Sequence, residues 1–143
     1  RPPRSTLFPY TTLFRSTVNA LAAADWVIIP VDCDEWAMDG MDEIREQVDA
    51  IRDAYNPQLE VMGVLATKYT RGRYSVDTIN EIANMDLPAF RNPDNSILRI
   101  DYSVKVKEAK ARHLPVHKVC RNIKTSAQYK ALAQLVKKCV EGE

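Results

Sequence analysis

The sequence of 143 residues predicts an α/β fold with a mostly parallel sheet covered by helices. Two short apolar runs, residues 26–31 and 61–66, have the length and the β-branched composition of buried strands. Between them, residues 37–55 carry apolar side chains at spacings of three and four, which is the period of an amphipathic helix. Strand, helix and strand in this order form one βαβ unit, in which the two strands are parallel.

Each of these first elements has its own local signal. Residues 17–24 are rich in alanine and favour a helix. The run 26–31 has no alternating polar residues, so we expect both faces of this strand to be covered. Asn56-Pro57 ends the next helix, because proline disfavours helical geometry at the residue before it. The expected inner face of that helix consists of Met41, Ile44, Val48, Ile51 and Tyr55.

In the second half of the chain, hydroxyl residues indicate where helices begin. Ser75 and Ser103 are each expected to cap a helix, since serine is a favoured N-cap residue. Thr125 and Gln128 have the spacing of a capping box ahead of the final helix. Residues 97–100 predict a third strand. The final helix is expected to dock through Tyr129, Leu132, Leu135, Val136 and Cys139.

Composition limits the classes of function. The net charge of +1 indicates neither a nucleic acid nor a membrane as partner, so any basic site must be local. No apolar run reaches the roughly 20 residues of a membrane helix, and we expect a cytoplasmic protein without a membrane anchor. Cys33, Cys120 and Cys139 are widely spaced and are interpreted as reduced structural thiols; no metal site is expected.

The first 16 residues differ in character from the rest. Residues 6–16 show no strand or helix period, and residues 7–16 resemble the conceptual translation of a common short-read sequencing adapter. We therefore expect two parts, a non-native leader at 1–16 and a partial domain at 17–143, with the natural sequence beginning at about Thr17. An ordinary N-terminal extension is the alternative.

Several segments together resemble the ParA and Soj partitioning ATPases, which are deviant Walker P-loop proteins. Residues 17–25 with the strand 27–31 are similar to the segment after that family's second nucleotide motif. Residues 37–41, Ala-Met-Asp-Gly-Met, resemble the start of its next helix, and residues 63–69, Gly-Val-Leu-Ala-Thr-Lys-Tyr, resemble a strand exit. Glu-Ala at 108–109 and Pro-Val at 115–116 match its later spacing. The resemblance covers nearly everything from Thr17 to about Val140.

The resemblance implies the C-terminal half of a P-loop NTPase-like fold. It further implies a parent that uses ATP and Mg²⁺, forms a homodimer, binds DNA without sequence preference and responds to a ParB-like partner protein. The chain contains no Gly-Lys-Ser/Thr sequence, and its glycines are Gly40, Gly63, Gly72 and Gly142. We therefore expect a fragment with no catalytic residues, which by itself binds no nucleotide tightly and hydrolyses no ATP.

The resemblance also assigns candidate site residues. Thr67, Asp101 and Ser103 match the region that contacts the nucleotide base in this family, although relatives carry Ile-Pro-x-Asn where this chain has Ile-Asp-Tyr-Ser at 100–103. The alternative for Thr67 is a turn at the strand end, and the alternative for Ser103 is a helix cap.

Two basic clusters are candidates for DNA contact. Arg71 and Arg73, with Lys68 beside them, form one cluster in a loop with Gly72, and Lys105 begins a second cluster that continues with Lys107, Lys110 and Arg112. Basic residues in these regions serve DNA binding in the family that the chain resembles, and cations on phosphates supply most non-specific affinity. An ordinary solvated face is the alternative.

Two other interpretations of the whole chain stay open. The first is a non-catalytic α/β module that binds proteins through the helix at 41–55. The second is a fragment without a physiological role of its own, for which the adapter-like leader argues.

Overall fold

The computed structural model describes residues 12–36 and 38–142, in six helices and three strands. In chain order these are α1 (Thr12–Ala23), β1 (Trp26–Asp32), α2 (Met41–Ala54), β2 (Glu60–Tyr69), α3 (Arg73–Asn84), β3 (Arg99–Asp101), α4 (Val104–Ala111), α5 (Val116–Val119) and α6 (Lys124–Glu141). No helix in this part of the chain is long and apolar enough to cross a bilayer.

The three strands form a parallel sheet in the order β1-β2-β3, flanked by helices, which confirms the predicted fold class. In the register of β2 with β3, Ala66 lies opposite Arg99 and Tyr69 lies opposite Asp101. The register shifts between these two pairs, which is a bulge in β2. Lys68 lies in the bulge with a φ of 52°, a left-handed conformation that is uncommon for a residue with a side chain.

The chain divides into two compact units, each described by itself. The first unit consists of the chain up to residue 27 together with residues 41–60, and it contains α1 and α2. The second consists of residues 28–40 and the chain from residue 61 onward, and it contains most of the sheet and α3 to α6.

In the first unit, α1 packs against α2. The Asn56 side-chain amide donates hydrogen bonds to the carbonyl oxygens of Leu21 at 3.1 Å and Ala24 at 2.7 Å, so the residue that ends the second helix also closes the end of the first. Of the expected inner face of α2, the side chains Met41, Val48 and Ile51 are buried, whereas Ile44 and Tyr55 are exposed.

The leader prediction falls partly outside the described residues. Residues 1–11 lie outside them, but α1 begins at Thr12, so residues 12–16 are helical although they showed no helical period. The residues after them favour a helix, and helix propagation is easier than nucleation, so five further residues extend the same helix.

The core of the second unit lies between the sheet and α6. Leu65, Phe90, Leu98 and Ile100 are buried together, and Leu132, Leu135 and Val136 of α6 pack on them. The predicted docking helix is therefore present, but Tyr129 and Cys139 are exposed rather than inward.

The expectation that both faces of β1 are covered is wrong for the described residues. Ile29 and Val31 are buried, but Trp26 and Ile28 alternate with them and are 38% and 37% exposed. A continuous apolar run shows only that both faces of a strand are suited to burial. Whether a face is buried depends on which helix packs against it.

The predicted helix starts are right at one position and wrong at two. Ser103 caps α4, because its side chain accepts a hydrogen bond from the Lys105 backbone N–H at 3.2 Å. Gly72, not Ser75, is the N-cap of α3. Ile123 is the N-cap of α6, and the Gln128 side chain instead accepts a hydrogen bond from the Asp101 N–H at 2.9 Å. Ser75 and Gln128 do not cap helices because their side chains form hydrogen bonds with residues that are distant in the sequence.

Candidate functional site

In the second unit, the strands β1, β2 and β3 end at Asp32, Tyr69 and Asp101. The sheet is parallel, so these ends and the residues that follow them, 32–36, 67–74 and 101–105, form one edge, here called the carboxyl edge. This is the edge at which open α/β sheets bind ligands.

On the β1 side of this edge, a carboxylate is held by a hydroxyl and an ammonium group. The Thr67 hydroxyl donates to Asp32 Oδ1 at 2.6 Å and also contacts the Val31 carbonyl oxygen at 3.2 Å. Lys68 Nζ donates to Asp32 Oδ2. The hydrogen bond from Lys68, and next that from Thr67, hold the pKa of Asp32 below its usual value, and Asp32 in turn raises the pKa of Lys68. At neutral pH, Asp32 and Lys68 therefore form an ion pair to which Thr67 adds a hydrogen bond.

The loop after β2 is anchored by the buried side chain of Ser75, which is 1% exposed. Its hydroxyl donates to the Cys33 carbonyl oxygen at 3.2 Å and accepts from the Thr70 N–H at 3.1 Å. Beside it, burial and then the charge of Asp32 raise the pKa of the Cys33 thiol to about 11. A buried thiol with a raised pKa is typical of a structural cysteine.

The β3 side of the edge is a chain of alternating charges. The Arg99 guanidinium lies 3.9 Å from the centre of the Tyr69 ring and 3.7 Å from Asp101 Oδ1, while Lys124 Nζ lies 2.6 Å from Asp101 Oδ2. Burial opposes ionisation of Asp101, but the hydrogen bond from Lys124 and the nearby Gln128 side chain outweigh it, so the pKa of Asp101 lies below its usual value. Within the described part of the chain, Asp101 Oδ1 has no hydrogen-bond partner.

The three predicted base-contacting residues lie at the same edge, but each already has a bonding partner within the protein. Thr67 is bonded to Asp32 on the β1 side, Asp101 is bonded to Lys124, and Ser103 caps α4. The Tyr102 N–H donates to the Tyr69 carbonyl oxygen at 2.8 Å, which holds the start of the segment 101–103 against the end of β2.

The three predicted DNA-contacting residues are exposed and differ in their partners. Arg71 is exposed in the loop after β2, and the Arg73 side chain is 90% exposed with Asp77 at 3.7 Å. Lys105 Nζ lies 2.7 Å from Glu108 Oε2. The hydrogen bond from Lys105 lowers the pKa of Glu108, and Glu108 raises the pKa of Lys105.

Sequence reasoning missed Arg99 and Lys124, the charged partners that organise the β3 side of this edge. Arg99 and Asp101 are two positions apart on a strand and so share a face, which is a signal that the sequence carried. Lys124 and Gln128 approach Asp101 from α6, and nothing local in the sequence indicates that contact.

The described residues do not fit the phosphates of a nucleotide or its magnesium ion. A phosphate cradle needs a row of backbone amides with a lysine and a free hydroxyl, and magnesium needs carboxylate or hydroxyl oxygens. Here the hydroxyls of Thr67 and Ser75 are bonded within the protein, and Asp32 and Asp101 are paired with lysines. No group of three or more metal-ligating side chains lies in the described part.

Comparison with protein families matches residues 10–61 to the AAA domain family. Over 100 residues, the chain is 32% identical to the chromosome partitioning protein ParA of Caulobacter vibrioides, a match that covers 70% of this chain and 36% of the relative. It is 38% identical over 53 residues to the chromosome-partitioning ATPase Soj of Thermus thermophilus, covering 37% of this chain and 21% of Soj. The chain thus spans little more than a third of the length of the first of these relatives.

Solved structures show the same fold. The chain is similar to cobyrinic acid a,c-diamide synthase from Mycobacterium smegmatis with bound ATP analogue and magnesium, with a TM-score of 0.66 and 25% identity over 89% of this chain and 45% of that one. A plasmid partition protein from Borrelia burgdorferi matches with a TM-score of 0.54 and 19% identity over 84% of this chain and 39% of that one, which is a likeness of fold.

Proposed function

The similarities support the ParA-type P-loop ATPase family for this chain, and on that premise we propose that it forms part of an ATP-dependent partitioning protein. In that protein, ATP drives dimerisation of two copies, the dimer binds DNA without sequence preference, and a ParB-like partner stimulates hydrolysis. Its place of action is the cytoplasm, on the nucleoid. The relatives named for chromosome partitioning support this role.

The share of this chain in nucleotide binding is limited to the carboxyl edge. Because its residues do not fit phosphates or magnesium, we assign those contacts to other parts of the parent protein. Thr67, Asp101 and Ser103 stay predictions for the base-contacting region. We expect the 143-residue chain alone to release no phosphate from ATP in the presence of Mg²⁺.

One observation carries the DNA-binding part of the proposal. Arg71 in the loop directly after the central strand and Arg73 at the start of α3 are exposed, and the Arg73 guanidinium lies 3.7 Å from the carboxylate of Asp77. Exposed, weakly paired guanidinium groups are suited to phosphates because they present several donors and lose little when they leave water. The buried Ser75 holds this loop in place.

The test is the affinity of the chain for a fluorescent DNA duplex, measured by anisotropy between about 50 and 200 mM salt, where phosphate contacts change affinity strongly. We expect binding to be independent of duplex sequence. In the double variant Arg71→Ala/Arg73→Ala, the slope of log affinity against log salt should decrease by about two, or about one for each phosphate contact removed.

The matched control removes two exposed lysines of α6, in the variant Lys130→Ala/Lys138→Ala. This variant makes the same change in net charge on α6. The slope of its log affinity against log salt should stay close to that of the unmodified chain. Equal losses in both double variants would reduce the effect to net charge and contradict a binding site at this loop.

A second candidate function is protein binding through α2. The exposure of Ile44 on α2 and of Tyr55 directly after it, 37% and 63%, favours it, since both carry large apolar surfaces, whereas Met41, Val48 and Ile51 of the same helix are buried. A chain that binds no duplex at low salt would favour this candidate over the first.

A further inference from the structure

Two exposed tyrosines lie on the carboxyl edge, one after each of two neighbouring strands. Tyr74 is the second residue of α3, directly after the β2 loop, and is 54% exposed. Tyr102 directly follows β3 and is 48% exposed. Because β2 and β3 are paired and parallel, both rings belong to the same edge of the sheet.

Each ring lies beside cationic side chains. Arg71 and Arg73 precede Tyr74, and Lys105 and Lys107 follow Tyr102. Lys107 Nζ lies 5.6 Å from the centre of the Tyr102 ring, within the range of a cation–π interaction. In the two segments after β2 and β3, exposed aromatic rings therefore alternate along the chain with basic residues.

This alternation matches the chemistry of one ligand class. Cations follow a phosphate backbone, and an exposed ring stacks on a base whose face is open. Base faces are open only where the strands are unpaired, so the rings add nothing to binding of an intact duplex. A protein interface is a poorer match, because lysine is depleted from protein interfaces.

Resting on the nucleic-acid binding of the proposed function, we propose that this edge binds single-stranded nucleic acid, with Tyr74 and Tyr102 stacking on unpaired bases. Arg71, Arg73 and Lys107 beside them contact the backbone phosphates. The site takes any base sequence, since every base has a stacking face.

The experiment measures anisotropy of the full 143-residue chain with a fluorescein-labelled 20-nucleotide oligo-dT, a duplex of equal length, and a single strand with abasic sites. The variants Tyr74→Ala and Tyr102→Ala should each weaken binding to oligo-dT by about 5-fold to 100-fold, the loss of one stacked base. Tyr74→Phe and Tyr102→Phe keep the ring and should bind as the unmodified chain does. Duplex affinity should change less than about twofold in all four.

The control is Trp36→Ala, which removes a ring that is 71% exposed on the same edge but lies next to Asp34 and Glu35. Its carboxylate neighbours repel phosphate, so oligo-dT affinity should not change. The unmodified chain should bind the abasic strand about as weakly as the alanine variants bind oligo-dT. Thermal unfolding followed by circular dichroism identifies an alanine variant that does not fold. If one does not fold, the phenylalanine variants and the abasic strand still test whether the rings stack on bases.

Three outcomes would overturn the inference. Unchanged oligo-dT affinity in the alanine variants would show that the rings do not stack on bases and would favour a protein partner for them. Equal losses of affinity for duplex and single strand would show that the rings do not distinguish unpaired bases. Duplex binding without oligo-dT binding would overturn the stacking site and leave the proposed function intact, whereas binding of neither would contradict both.

Discussion

The two basic segments beside the carboxyl edge differ in what their charges contact. In the segment after β2, Arg71 is exposed in the loop, and Arg73 at the start of α3 has its carboxylate neighbour at 3.7 Å. In the segment of α4 and the residue that follows it, Lys105 lies 2.7 Å and Arg112 lies 2.9 Å from the same carboxylate, Glu108. A count of basic residues treats the segments alike, but Lys105 and Arg112 of the second segment would have to leave Glu108 before they meet a phosphate, whereas Arg71 and Arg73 have no such close partner among the described residues.

The two segments also differ in how serine anchors them, and this predicts the largest effect. Ser75→Ala leaves the buried Cys33 carbonyl and the Thr70 N–H without their partner, which should lower the free energy of unfolding by about 2 kcal/mol. Ser103→Ala removes a cap and should cost about 1 kcal/mol. Urea unfolding of both variants measures the difference, and a larger loss for Ser103→Ala would reverse the comparison.

Releasing the paired charges of α4 should make the second segment more like the first. Glu108→Gln removes the carboxylate shared by Lys105 and Arg112, and duplex affinity should rise by about twofold to threefold. Anisotropy at low salt measures this, with Glu81→Gln on the exposed face of α3 as the matched control. Equal gains in both variants would mean that net charge alone sets the affinity.

The smallest effect concerns acid. The pKa of Asp32 is held down by Lys68 and Thr67, so its pairing stabilises the folded state above the unfolded pKa of about 3.9 and is lost as pH falls through the lower folded value. Asp32 is partly exposed, and Asp32→Asn should cost less than about 1 kcal/mol at pH 7.

Stability of the Asp32→Asn variant should therefore fall less steeply than that of the unmodified chain from about pH 5 to pH 3. Urea unfolding across this range tests it, with the exposed Asp53→Asn as control. Parallel curves for the unmodified chain and Asp32→Asn would show that the ion pair adds nothing to folding.

The order of strands and helices could be read from the sequence, because burial imposes a period that local residues carry. The βαβ unit, the Ser103 cap and the final helix follow from such signals. The positions of Ser75 and Gln128 could not, because their hydrogen bonds join residues 42 and 27 positions apart.

By itself, the sequence determined the α/β class, the parallel order of strands and the presence of basic residues beside two strand ends. Only the tertiary structure decided that Glu108 pairs with both Lys105 and Arg112, that Lys124 reaches Asp101, and that one face of β1 is exposed. The physical reason is the distance along the chain over which each interaction acts. Periodicity and capping act within a few residues, whereas charge pairing and coverage depend on which side chains folding brings within a few ångströms.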